Sequence, residues 1–266
     1  MTNLQTKKQL NQEFRDVKYI LTSSMRAKLL LALYEIPKNL DELRNELKKP
    51  SATILHGLKE LEAINLVRKS QKYYELSSNG YLLTTNMIKL IENWFSLSRS
   101  EIFWDNHDLC DIPDEIIRKI YLLKDAEYIN STTSDLSIAF NKYIKLISNA
   151  KKLQIILPIY SENHFKHIID LLNKRKIEEL KLIISDEIYS SIYENELFKK
   201  ELLENEKVSL KVTNFNLKIF LTYSEEFMSL TLFFKDGHYD DSQILIGKDE
   251  NAKKWARDLL KFYEGY

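Results

Sequence analysis

PSATILHGLKELEAINLVRKSQKYYELSSNG, residues 50–80, is the stretch of sequence that decides the fold of the first part of the chain. Pro50 breaks the preceding segment, because its ring and its missing N–H cannot continue a helix. Three apolar residues then recur at spacings of four and three, the periodicity of one buried helix face: Ile54, Leu58 and Leu61. We therefore expect a helix over residues 51–64, with Ser51 as its most natural N-cap.

A hairpin is expected directly after this helix. Asn65 stands where helices often end in the left-handed conformation, which asparagine tolerates. The residues that follow place a polar tip, Ser70-Gln71-Lys72, between two β-prone flanks. Upstream, residues 17–36 read as a helix ended by Pro37, and a second helix capped by Asp41 follows. Three helices and a hairpin are the order of a winged helix-turn-helix.

A long helical pattern runs from Ser77 to about Phe103, with an apolar stripe that is broad for one small domain. It predicts either a linker helix, packed on a second domain or on another subunit, or a plain core helix. A polar loop follows and is broken by Pro113. We divide the chain into a winged helix over residues 1–85, a linker helix over 86–105 and a second domain over 106–266.

Strands alternate with helices in the second domain. The predicted helices are 135–150, 162–176, 187–204 and 251–263, and the predicted strands are 126–130, 153–158, 180–185, 208–213, 217–223, 228–234 and 243–247. Alternation predicts a parallel sheet, and the later run of strands predicts antiparallel additions. The fold class is therefore α+β, with an N-terminal winged helix and a C-terminal α/β domain that senses or dimerises.

Charge is distributed unevenly, although the 39 basic and 39 acidic residues balance. Residues 1–85 hold 14 Lys and Arg against 9 Asp and Glu, which leaves 25 against 30 in the rest. This asymmetry favours a localised basic surface. The chain has one cysteine, Cys110, no apolar run long enough for a membrane span and no signal-peptide core. We expect a cytoplasmic protein without a membrane anchor or cofactor.

Residues 50–80 resemble the winged helix-turn-helix pattern of L-x-x-L-E, a basic wing and Y-x-L-S/T-x-x-G. The matching residues are Leu58, Leu61, Glu62, Leu66, Tyr74, Leu76, Ser77 and Gly80, with Asn65 in place of the usual glycine. Three further segments, SSMRAKLLLAL, FWDNHDLCDIPDE and KKWARDLLKFY, are similar to archaeal regulators of the methanogenesis and filament regulatory type. The resemblance implies an archaeal source, a sensor domain behind the winged helix, and transcription regulation.

The expected partner is double-stranded DNA, whose major groove admits one helix. The outward residues of the recognition helix are Ser51, Thr53, Leu55, His56 and Lys59, and those of the wing are Arg68, Lys69 and Lys72. Thr53 and His56 suit base edges, and Lys59 suits a phosphate. For Ser51 the sequence leaves two roles open, a phosphate contact or the N-cap of its own helix. For Leu55 it leaves open a contact with a thymine methyl group or packing within the domain. The wing cations suit phosphates or the minor groove, or form a solvated tip.

Two more features bear on DNA readout. Lys7, Lys8 and Arg15 form a basic N-terminal arm, for which the sequence favours disorder over added phosphate contacts. The recognition helix lacks arginine, so it offers no bidentate guanine contact, and specificity leans on DNA shape.

Three places in the second domain carry side chains capable of chemistry. His164, Lys166 and Asp170 nearly match the H-x-K-x4-D motif of phospholipase D enzymes, but the spacing is one short and no second copy occurs. This leaves a degenerate relative of that fold, reused as a sensor, as an alternative. The aspartates around His107 and His238 do not have the spacing of a known metal site. Cys110 has no activating cation nearby, so a reactive thiolate is not expected.

These observations favour a homodimeric DNA-binding regulator whose second domain senses a small-molecule effector or dimerises. One alternative is a winged-helix module for protein interaction, which the zero net charge favours. A second alternative is an enzyme of the phosphodiester-cleaving class, built around His164.

Overall fold

The computed structural model describes residues 11, 14, 15, 17–214 and 217–265. These divide into two compact units, Met1–Ile91 and Glu92–Tyr266. Each unit has a hydrophobic core built from its own segments. Within the described residues, no helix combines the length and the apolar character needed to cross a bilayer.

The N-terminal unit is a winged helix-turn-helix, as the sequence predicts. Its elements are α1 (Ser24–Ala32), β1 (Lys38–Asn39), α2 (Leu40–Leu47), α3 (Ser51–Ala63), β2 (Val67–Ser70), β3 (Tyr73–Leu76) and the start of α4 (Ser78–Ser98). The three strands form an antiparallel sheet in the order β1-β3-β2. The hairpin turn holds Gln71 at a φ of 57°, and Asn65 ends the helix region at a φ of 58°, in the left-handed region expected for it.

The predicted inner face of α3 forms the centre of this unit's core. Ile54, Leu58 and Leu61 are fully buried, together with Leu29 and Leu43 from the other two helices. Burying each of these side chains contributes about 2 kcal/mol relative to exposure. The core therefore holds α3 by one face and leaves the opposite face free.

Two predictions upstream of α3 were wrong in detail. The helix expected over 17–36 is interrupted at residues 22–23, where Ser23 caps α1 by accepting a hydrogen bond from the Arg26 N–H. It ends at Ala32, ahead of Pro37. The second helix is capped by Asn39 rather than Asp41, because Asn39 and Glu42 form a reciprocal capping box.

The end of the wing is joined to α4 by a tight backbone contact at Gly80. The Leu66 carbonyl accepts a hydrogen bond from the Ser77 N–H, and the Ser77 hydroxyl donates to the Asn65 carbonyl and accepts from the Gly80 N–H. A Cβ on Gly80 would lie 1.9 Å from the Leu66 carbonyl oxygen. Glycine is therefore required at this position by close approach of two backbone segments, at an ordinary φ.

The helix expected from Ser77 to Phe103 is broken near residues 99–100. It forms α4 up to Ser98 and then α5 (Glu101–Asn106). The loop predicted over residues 104–115 begins within α5 and ends in the first turn of α6 (Asp114–Ile117), and a 3-10 turn, Ile120–Leu123, follows it.

The C-terminal unit is built on a seven-stranded sheet. After β4 (Glu127–Asn130) come α7 (Ile138–Ile147), β5 (Lys152–Leu157), α8 (Glu162–Asn173), β6 (Glu179–Ser185), α9 (Asp186–Glu194), two short helical turns, Glu196–Phe198 and Lys199–Leu203, then β7 (Val208–Thr213), β8 (Ile219–Tyr223), β9 (Met228–Leu232), β10 (Gln243–Gly247) and α10 (Glu250–Gly265). This confirms the predicted α/β domain and the α+β class.

The sheet has the strand order β4-β10-β9-β8-β5-β6-β7. Strands β5, β6 and β7 are parallel, and β8, β9 and β10 are antiparallel additions, as predicted. Strand β4, which the alternation placed with the parallel strands, instead pairs antiparallel with β10 at the opposite edge. Helices α7, α8 and α9 pack on one face of the sheet, and α6 and α10 pack on the other. The result is a three-layer α/β/α unit.

We expect Gly80→Ala to destabilise the N-terminal unit by about 3 kcal/mol, because the added Cβ meets a carbonyl oxygen that is held in place by hydrogen bonds. Hydrogen exchange of the full chain should speed up roughly a hundredfold over residues 24–76 and stay unchanged in the C-terminal unit. Gly265→Ala is the control, since its added Cβ meets nothing within 4 Å. If hydrogen exchange over residues 24–76 is as slow in Gly80→Ala as in the parent chain, Gly80 does not pack closely against the Leu66 carbonyl.

Candidate nucleic-acid interface

Helix α3 presents one continuous exposed stripe opposite its buried face. The exposed residues are Ala52, Thr53, His56, Lys59 and Ala63, which recur at helical spacing. Thr53, His56 and Lys59 are the predicted contact residues, and the structure places them side by side. The two alanines keep the stripe shallow, so the helix backbone can approach a flat or convex surface closely.

The structure bears on the roles left open for two other predicted residues of α3. Ser51 is not the N-cap: Pro50 occupies that position, and no side chain caps the helix. The Ser51 hydroxyl is therefore available at the start of the helix. Leu55 is half-buried and packs against the core of the unit, which favours the domain contact over a thymine contact.

A buried arginine that sequence reasoning missed holds α3 against α1. The Arg26 guanidinium donates to the Tyr19 carbonyl at 2.9 Å through Nε and to Glu60 Oε2 at 2.9 Å through Nη1. Its side chain is about 10% exposed and stacks over the Tyr19 ring at 3.8 Å. The hydrogen bond from Arg26 is the main reason that the pKa of Glu60 lies below its ordinary value. Arg26 thus sets the position of the helix whose outer face is exposed.

Glu60 also reaches the exposed stripe. Its second carboxylate oxygen lies 3.6 Å from His56 Nε2, one helical turn away. The His56 side chain is 76% exposed, so this contact orients the ring without burying it. The stripe therefore carries an imidazole with one nitrogen already facing an acceptor.

The wing carries three predicted cations, all exposed, but they are not equivalent. Arg68 lies opposite Glu75 in the hairpin register, and its Nε donates to the Glu75 carboxylate at 2.7 Å. Lys69 lies 5.4 Å above the Tyr74 ring, and Lys72 lies 5.8 Å above the Tyr73 ring. Within the described residues these two lysines have no carboxylate within 4 Å, so their charges are available to a phosphate.

Two further cations missed by sequence reasoning precede α3. Lys48 and Lys49 are exposed in the turn between α2 and α3, and Lys48 has a left-handed φ of 52°. Lys7 and Lys8 of the predicted N-terminal arm lie outside the described residues.

The near-motif around His164 does not assemble into a catalytic centre. His164 is buried, whereas Lys166 and Asp170 are exposed on the same helix and pair with Glu162 and Lys174. The three side chains of the near-motif therefore face different surroundings.

The aspartate-rich loops are structural where they are buried. His107 Nε2 lies 3.0 Å from Asp240, and both residues are buried. Burial alone would raise the pKa of Asp240, but hydrogen bonds from His107 and Ser242 outweigh it and hold the pKa below its ordinary value. The part of the chain that the structure describes contains no group of three or more metal-binding side chains.

Cys110 is held in its thiol form. Partial burial, together with the carboxylates of Asp108 and Asp111, raises the pKa of its thiol to about 11. A thiolate is therefore scarce at neutral pH, in line with the expectation of an unreactive cysteine.

Both halves of the chain match models of one protein family. Residues 14–93 match the model described as the N-terminal domain of methanogenesis regulatory protein FilR1, and residues 137–265 match the model of its middle domain. A curated relative, methanogenesis regulatory protein FilR1 of Methanothrix harundinacea (strain 6Ac), is 25% identical over 252 residues. The match covers 93% of this chain and 56% of the relative, so the chain spans little more than half of that protein's length.

Similarity to solved structures is low. TrmBL2, described as an archaeal chromatin protein with a novel mode of DNA binding, aligns over 100% of this chain and 98% of its own, with 13% identity and a TM-score of 0.39. The dimethyltransferase RosA from Streptomyces davawensis aligns over 80% of this chain and 68% of its own, with 12% identity and a TM-score of 0.27. Neither similarity carries an argument about function.

We expect Arg26→Met to lower the free energy of unfolding of the N-terminal unit by about 2–3 kcal/mol, because it leaves Glu60 and the Tyr19 carbonyl without their donor. Urea denaturation followed by circular dichroism measures the loss. Arg44→Met is the matched control, since Arg44 pairs with Asp41 at 3.6 Å on the exposed surface, where an ion pair contributes about 0–0.5 kcal/mol. Equal losses in the two variants would contradict the assigned role of Arg26.

Proposed function

Since the chain belongs to the archaeal family of methanogenesis regulatory proteins related to FilR1, we propose that it is a transcriptional regulator whose N-terminal unit binds duplex DNA. The second unit, in this proposal, senses a small molecule or supplies dimer contacts. In this role the protein acts on DNA in the cytoplasm and does not act as an enzyme.

The observation that carries the proposal is the pairing of a shallow exposed helix face with a cationic hairpin. Helix α3 has the size that the major groove admits, and its outer stripe offers Thr53 and His56 at positions suited to base edges. Lys69 and Lys72 on the wing, and Lys48 and Lys49 before the helix, suit the phosphates on either side.

The chemistry of the stripe supports limited direct readout. It carries no arginine, so the strong bidentate contact to guanine is absent from it. Thr53 and His56 are each able to make one or two hydrogen bonds with a base edge. We infer that sequence preference depends on these two residues together with the shape of the duplex.

We further propose that a second copy of the chain covers the exposed apolar side chains of α4. In the part of α4 that belongs to the N-terminal unit, Leu82 is 62% exposed, Leu90 56% and Ile91 48%. Apolar residues so exposed on one helix are typical of an interface, and twofold symmetric dimers match paired half-sites in DNA.

Reversing the charges of the two unpaired wing lysines should lower the affinity of the protein for DNA of any sequence. For Lys69→Glu/Lys72→Glu we expect affinity to fall at least about tenfold, and the slope of log K against log salt to become shallower by about 2, because two phosphate contacts are lost. A gel-shift series at several salt concentrations measures both. Arg68→Glu should have a smaller effect, since Glu75 already neutralises that charge.

The control for the wing variant is Lys145→Glu/Lys261→Glu, which makes the same change in net charge at exposed sites of the C-terminal unit. If the wing variant and this control bind DNA with the same affinity and the same salt slope, the wing does not contact DNA. If the parent chain itself binds DNA without salt dependence, a winged-helix module for protein interaction becomes the better proposal.

Thr53→Val and His56→Ala should relax sequence preference and leave the salt slope unchanged. Each lost base contact should reduce discrimination by about 1–3 kcal/mol. Selection from a random duplex pool, compared between the parent and each variant, measures this. Lys59→Met is the control, and it should weaken binding to all sequences by the same factor. If Thr53→Val and His56→Ala select the same sequences as the parent chain, these two residues do not read base edges.

A further inference from the structure

A large cavity lies within the C-terminal unit, and the DNA-binding proposal does not use it. Its volume is about 740 Å³, which is within the range of pockets that hold small organic ligands. It is lined by the loop before α7, by α7 and α8, and by strands β8 to β10. All of these elements belong to the unit Glu92–Tyr266.

The sheet beneath the cavity carries hydroxyl groups where a core would ordinarily be apolar. Along β9, Met228, Leu230 and Leu232 face the core under α10, while Ser229 and Thr231 face the opposite side. Thr222 on β8 lies directly opposite Ser229 in the register. All three hydroxyl residues are buried, with at most 6% exposure. Burying hydroxyls costs free energy unless they find hydrogen-bond partners.

A buried imidazole above these hydroxyls has an unpartnered nitrogen. The Thr222 hydroxyl donates to the Tyr143 hydroxyl oxygen at 3.2 Å, and the Tyr143 hydroxyl then donates to His164 Nε2 at 3.0 Å. This direction leaves the ring proton on Nδ1, which has no partner among the described residues. Burial lowers the pKa of His164 to about 3, so the ring is uncharged at neutral pH. His164 lines the cavity.

The charges around the cavity select against anions. Two acidic side chains, Asp135 and Asp241, line it, and no lysine or arginine of the described chain does. A carboxylate or phosphate would therefore meet two negative charges and no cationic side chain among the lining residues. Phe140, Phe220 and Ile159 supply apolar and aromatic surface, and hydroxyl and amide side chains are interspersed with it. This mixed lining suits a molecule with an aromatic or apolar body and a few polar groups.

We propose that this cavity is a binding site for an uncharged small organic molecule, with an aromatic or apolar body and a carbonyl or hydroxyl oxygen that accepts the His164 Nδ1–H. The hydroxyls of Ser229 and Thr231 offer further hydrogen bonds to polar groups of the ligand. The proposal that a ligand binds depends on the cavity alone, whereas a role for this ligand as an effector of DNA binding rests on the proposed function.

The test uses the full chain without DNA and two fluorescent probes that share a naphthalene ring system. Prodan is an uncharged naphthyl ketone, and TNS is a naphthalene sulfonate with a negative charge. We expect saturable blue-shifted Prodan emission at one site per chain, and binding of TNS at least about tenfold weaker, because only the ketone satisfies the orphan donor without burying a charge. Equal or tighter TNS binding, or Prodan emission that does not saturate, would overturn the proposal.

Variants locate the site. His164→Phe removes the donor but keeps a planar ring and should weaken Prodan binding about tenfold. Ser229→Leu should abolish it by filling the cavity from the sheet side. His167→Phe is the matched control, since it lies three residues along the same helix and outside the cavity lining. Prodan binding that is unchanged in both His164→Phe and Ser229→Leu would place the site elsewhere and disprove the assignment.

Folding of each variant is checked by circular dichroism and thermal unfolding. If either variant fails to fold, the comparison of Prodan with TNS on the parent chain still decides the proposal. A gel-shift with and without saturating Prodan is a separate measurement. Prodan binding without any change in DNA affinity leaves the site standing and removes only its effector role, while absence of DNA binding bears on the winged helix alone.

Discussion

The wing's position depends on one backbone contact, the packing of Gly80 against the carbonyl of Leu66. Around this carbonyl, the end of α3, the start of β2 and the start of α4 meet within a few residues, tied by the hydrogen bonds of Ser77. The close approach leaves no room for any side chain. The hairpin is thereby fixed relative to α3, so the cationic tip and the exposed helix face act as one surface.

Much of this architecture could be predicted from the sequence, because its signals are local. The spacing of Ile54, Leu58 and Leu61 reports a buried helix face, and Asn65 reports a left-handed helix end. Apolar runs report the inner strands of the larger sheet. The prediction of Ser51 as a cap was wrong because Pro50 already satisfies the N-cap position with its carbonyl. Local patterns do not distinguish these two neighbours.

What could not be predicted depends on residues far apart in the chain. Arg26 and Glu60 are 34 residues apart, and His107 and Asp240 are 133 residues apart. No periodicity links either pair. Strand β4 reads like its parallel neighbours but joins the opposite edge, since its partner β10 comes last among the strands. The hydroxyl row beneath the cavity did leave a signal, because alternation of Ser229 and Thr231 with large apolar residues in a buried strand indicates two chemically different faces.

The small number of unpaired cations on the wing has a consequence for how such a protein would search a genome. Arg68 is neutralised by its neighbour and the chain as a whole has no net charge, so Lys69 and Lys72 remain on the wing beside Lys48, Lys49 and Lys59 on and before α3. Attraction to arbitrary sequence is correspondingly weak, since that attraction scales with the number of phosphates contacted. Residence on non-cognate DNA would be brief, and transfer between distant segments would occur through solution more than by sliding.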